Sequence, residues 1–95
     1  QSEQAARWLT NAWPTAARAG EFLNRMFDPT WKLVRVDSSN KDLTVEAAAH
    51  ACAGLRCLNR WARDLGVQPP FDCAALANQL SQGIVAMKNN VYIFL

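Results

Sequence analysis

Long apolar runs are missing from these 95 residues. No stretch approaches the roughly 18 consecutive apolar positions that a membrane helix needs, and no basic, apolar and cleavable leader opens the chain. A soluble protein without a membrane span is therefore expected. Histidine is nearly missing too, with His50 alone, and the three cysteines form no C-x-x-C pair. No Cys stands three or four residues from His50, so neither a metal site nor a Cys/His nucleophile pair is spelled out. There is no glycine-rich phosphate loop, no paired carboxylate motif and no Ser/His/Asp set. These absences point away from an enzyme and imply no cofactor and no metal. Charge is in short supply as well: the net +2 falls short of the clustered excess of a dedicated nucleic-acid binder. Internal repeats and low-complexity tracts are also missing.

What the chain does have is apolar and aromatic side chains. Half of it is hydrophobic, with four Trp and four Phe, enough for one core in a single domain spanning 1–95. The start at Gln1 and the apolar ending VYIFL (91–95) raise the expectation of a piece cut from, or matured out of, a longer chain.

The stretch from Asp42 to Gly66 organises the reading. Asp42 or Thr44 can cap a helix, Glu46 suits its positive end, and Gly66 can supply the left-handed stop. Val45, Ala48, Cys52, Leu55, Leu58, Ala62 and Leu65 recur at three/four spacing, giving an apolar stripe that His50, Gly54, Cys57 and Trp61 widen. Arg56, Arg60 and Arg63 fall on the opposite side, with Arg60 and Asp64 spaced for an ion pair.

Upstream, Ser2 can cap a helix to about Trp13 that turns Ala5, Trp8, Leu9 and Ala12 inward. Pro14 reads as its interruption and as the first residue of a second helix to Phe27. That helix carries Ala16, Ala19, Leu23, Met26 and Phe27 inward, and Asp28 and Pro29 end it. WKLVRV at 31–36 has strand character, as does VYIFL, and the two could pair. Residues 37–40 read as a loop. Downstream, the two prolines of VQPP stop the central helix, and Phe71, Asp72 and Leu76 stand as a hydrophobic staple with its cap. The last helix then carries Leu76, Ala77, Leu80, Ile84 and Met87 inward and ends near Asn89 and Asn90.

The fold expected is mainly α. Four helices near 2–13, 14–27, 43–65 and 72–89 make an N-terminal helical pair and a C-terminal antiparallel hairpin, with a short β element at 31–36. In that hairpin Cys73 lies opposite Asp64 or Leu65. Cys57 is then about 10 Å distant at 1.5 Å rise per residue, too far for a disulfide. Free thiols suggest a reducing, cytoplasmic setting.

Two surfaces compete for a function. Trp8, Trp13, Phe22 and Trp31 exceed what so small a core can enclose, which implies an apolar patch for docking another protein or a second copy as a homodimer. The alternative is a small nucleic-acid-associated factor that grips phosphates with Arg56, Arg60 and Arg63.

Overall fold

The computed structural model describes residues 3–35 and 43–94, with backbone alone for 88–94. It contains three helices and one two-stranded ribbon: α1 (Glu3–Met26), β1 (Phe27–Asp28), β2 (Leu33–Val34), α2 (Val45–Leu65) and α3 (Cys73–Phe94). The domain is mainly α, and among its described residues no helix is long and apolar enough to cross a membrane.

The expected four helices are three because α1 continues through Pro14. An interior proline removes the hydrogen bond to the carbonyl four residues back and costs about 3 kcal/mol. Contacts from α2 to the two turns just before Pro14 offset that cost. The Trp61 ring stacks on Trp8, with centroids 6.0 Å apart, and meets Trp13 edge-on at 5.8 Å. Its indole N–H also donates to the Leu9 carbonyl at 3.2 Å. Two aromatic contacts at about 0.5–1.5 kcal/mol each and one hydrogen bond near 1 kcal/mol match the proline penalty.

α2 begins and ends where its sequence signals lie. The Thr44 hydroxyl accepts from the Ala47 N–H at 3.0 Å, and Gly66, with φ of 70°, bonds back to the last turn. Asp42, the other candidate cap, lies outside the described residues, as do Val36 and the loop expected at 37–40. Asp72 caps α3 by accepting from the Ala75 N–H at 3.0 Å, and Phe71 and Leu76 join the core beside it. α3 runs past Asn89 and Asn90 to Phe94, so most of VYIFL is helical and is not a strand partner for 31–36. Asparagine in a helix interior costs well under 1 kcal/mol, too little to stop a helix already propagating.

Among the described residues of 31–36 the strand is Leu33–Val34, and its partner is the end of the supposed second helix. Phe27 pairs with Val34 and Asp28 with Leu33, antiparallel. The Asp28 carboxylate accepts from the N–H groups of Thr30 (2.9 Å) and Trp31 (3.1 Å), and its carbonyl accepts from Lys32 N–H at 2.8 Å. Lys32 closes the turn with a left-handed φ of 56°. Arg35 makes a further antiparallel bridge to Leu43.

The core is the α2–α3 hairpin plugged by the ribbon. Leu33, Leu55, Leu80 and Cys73 are fully buried, with Val34, Ala48, Ala77 and Leu76 around them. α1 lies mainly against α2, and Gly20 is its one buried residue. There the backbone of α1 comes so close that a β-carbon would lie 2.5 Å from Leu58 Cδ2. The particle is elongated, 53 × 27 × 19 Å.

Candidate interaction surfaces

The four aromatic residues expected to form one patch divide into three places. Trp8 and Trp13 converge on Trp61; Trp8 remains 64 % exposed while Trp13 is half-buried. Phe22 stands 14 residues beyond Trp8, about 21 Å along the helix at 1.5 Å per residue, with the Arg25 guanidinium 5.9 Å above its ring. Trp31 is exposed on the turn of the ribbon, beside Gln82, Gly83 and Met87 of α3. The Trp8 ring is thus held flat on a neighbour yet uncovered on its other face.

Trp61 is the member that sequence reasoning placed on the apolar side of α2 without assigning it to the surface. Its position on the His50–Gly54–Cys57 line was the available signal. That line does not widen the core: His50, Gly54 and Cys57 are exposed, because α3 and β2 occupy the other side of α2. Gly54 and Cys57 instead form one wall of a groove of about 220 Å³, and Ala16, Ala19 and Leu23 of α1 form the other. On α1 itself, Ala5, Trp8 and Ala19 are exposed rather than inward. α2 covers the face centred on Leu9, Trp13, Ala16, Gly20 and Leu23, which is rotated away from them.

The arginines do come together. Arg56, Arg60 and Arg63, with Asn59, surround a cleft of about 230 Å³ that Ala74 closes from α3, and no carboxylate lines it. The Arg56 guanidinium donates to Asn78 Oδ1 at 3.3 Å and to Ser81 Oγ at 3.4 Å. The Arg60 and Arg63 guanidinium groups have no hydrogen-bond or ion-pair partner among the described residues. Among the described residues the only ion pairs are Glu3–Arg7 (3.4 Å) and Glu46–His50 (3.9 Å, when His50 is protonated), so Arg60 and Asp64 are not paired.

The three cysteines are free thiols. Cys57 is exposed and Cys52 and Cys73 are buried, with Cys52 Sγ 3.4 Å from the Ala77 carbonyl oxygen and from Ser81 Oγ. Burial raises the Cys73 thiol above the ordinary cysteine range, and the Asp72 carboxylate pushes in the same direction. Among the described residues no group of three or more His, Cys, Asp and Glu side chains is placed to hold a metal ion.

No protein family matches this chain, and no curated protein or solved structure is significantly similar to it.

Proposed function

We propose that this chain is a non-catalytic, cytoplasmic interaction domain that docks the aromatic and aliphatic surface of α1 onto another protein chain. The observation that carries this reading is the Trp8 ring, stacked on Trp61 and yet 64 % exposed. An aromatic ring held in place but uncovered supplies contact area at little cost in side-chain entropy, which is what interface anchors provide. The exposed Phe22 ring extends the same helix surface, and Trp31 forms a separate contact point at the ribbon turn.

Trp8→Asp and Phe22→Asp test this without touching the core. Cross-linking followed by mass spectrometry, in an extract containing the native partner, is expected to place partner cross-links around these residues and to lose them in both variants. A protein that cross-links to nothing, or whose cross-links survive Trp8→Asp, refutes the reading.

A second reading, a nucleic-acid-associated factor, is favoured by three guanidinium groups sharing one cleft without a carboxylate. Removing one arginine–phosphate interaction should flatten the dependence of log affinity on log salt by about 0.9 on duplex DNA. Replacing Arg56, Arg60 and Arg63 by Gln is expected to reduce that slope by roughly 2 to 3. An unchanged slope rules this reading out.

A further inference from the structure

The outer side of α1 carries a heptad that stays largely exposed to solvent in the fold. Ala5, Ala12 and Ala19 recur every seventh position, and Trp8, Thr15 and Phe22 recur every seventh position between them. The two sets alternate at spacings of three and four, which puts them on one seam of a helix. All six belong to α1; five are exposed and Ala12 is half-buried. At 100° per residue this seam lies roughly 90° around the helix from the residues that meet α2, as neighbouring contacts do in a four-helix bundle.

We infer that the partner of this seam is a second copy of the same chain, packed with its α1 antiparallel. This deepens the proposed interaction function and rests on it. Each aromatic ring of the seam then meets an alanine, and the layers between them are small on both sides. Trp8 faces Ala19 of the second copy, Thr15 faces Ala12 and Phe22 faces Ala5, and the two-fold axis repeats every layer in reverse. A parallel pair would instead stack Trp8 on Trp8 and Ala5 on Ala5, alternating overfilled and underfilled layers.

The charges agree with the antiparallel arrangement. The residues flanking the seam on its solvent side are Gln4, Asn11, Arg18 and Arg25. In this register Arg18 lies across from Asn11 of the second copy, and Arg25 from Gln4, so no two cations oppose each other. Room is available as well. The groove of about 220 Å³ opens beside Ala19, where the register brings the Trp8 ring of the second copy. Two α1–α2 pairs related in this way form a bundle of four helices.

The test reads association by sedimentation equilibrium from micromolar to millimolar protein. The wild-type chain is expected to dimerise reversibly. Ala19→Trp sets ring against ring in two symmetry-related layers and is expected to weaken the dimer by at least about tenfold. Ala19 is exposed, so the new ring meets solvent in the monomer and circular dichroism should be unchanged. The double variant Trp8→Ala with Ala19→Trp restores one ring and one small residue to each layer, and dimerisation is expected to return. Trp8→Ala alone controls for the lost stack on Trp61, and a double variant no tighter than either single variant overturns the register. A wild-type chain that stays monomeric throughout overturns the dimer. If its Trp8 still cross-links to a different protein, the broader interaction reading stands and only the second copy is eliminated.

Discussion

Gly83 and Gly54 both lie inside helices, yet their replacement by alanine should move stability in opposite directions. At Gly83 the ribbon turn rests its main chain on α3. A methyl group there would sit 2.7 Å from the Lys32 carbonyl carbon and 2.8 Å from the Trp31 oxygen, and closer still to the Lys32 oxygen. Ordinary contact is about 3.5–4.0 Å, so the turn would have to retreat by roughly 1 Å. Both neighbours are backbone and cannot rotate away. The Lys32 ammonium's bond to Gln82 Oε1, 2.8 Å long, would be pulled with them. Overpacking of this kind costs about 1–3 kcal/mol, and the strain lies toward the upper end. The gain in helix propensity on leaving glycine returns nearly 1 kcal/mol. Gly83→Ala should therefore destabilise by about 1–2 kcal/mol. Around Gly54 nothing stands within 4 Å of the new methyl, so Gly54→Ala keeps the propensity gain and stabilises by about 0.5–1 kcal/mol. For a domain of this size the melting temperatures of the two variants should differ by on the order of 10 °C. Thermal melts at low micromolar protein, followed by circular dichroism, measure this directly. If Gly83→Ala melts at or above Gly54→Ala, the close approach of the ribbon to α3 is refuted.

Leu55→Ala should cost about 2–5 kcal/mol in urea denaturation, since the side chain is fully buried within the core cluster; a cost below 1 kcal/mol would contradict that placement. Trp61→Ala should remove about 2–4 kcal/mol and open α1 at Pro14, seen as faster amide exchange at residues 8 to 13. Of the three thiols, Cys57 alone should react rapidly with a disulfide reagent in the native state. Because the Cys73 thiol is raised in the folded chain, the unfolded chain releases that proton first as pH climbs. The stability it contributes is intact below the ordinary thiol range and is lost progressively above it. Comparing denaturation midpoints at neutral pH and about pH 10 should show this decline, and Cys73→Ala should reduce it.

The α2–α3 hairpin was legible because its signals are local. Thr44, Gly66, Phe71 and Asp72 each act within one turn of a helix end, and the Arg56–Ser81 bond agrees with the register that loop distance alone implied. The continuity of α1 was not legible, since the contacts that offset the Pro14 penalty come from Trp61, remote in sequence. The same remoteness hid the partner of Leu33–Val34: Phe27 and Asp28 continue a helical pattern, and only the turn bonds of Asp28 fold them back. Among the surface residues, the arginine face followed from helix periodicity. The splitting of Trp8, Trp13, Phe22 and Trp31 depended on where α2 lands on α1, and no spacing within α1 specifies that.

With Gly20 as its one buried residue, α1 meets the main core only through half-buried side chains, Trp13, Ala16, Leu23 and Met26. Detachment of this helix as a unit should then need far less free energy than melting the remaining two, and amide protons along it should exchange through that excursion while those around Leu55 and Leu80 await global unfolding. Whatever clamps α1 from outside would slow its excursion, so the exchange rate of a single helix becomes a gauge of occupancy at a distance from the core.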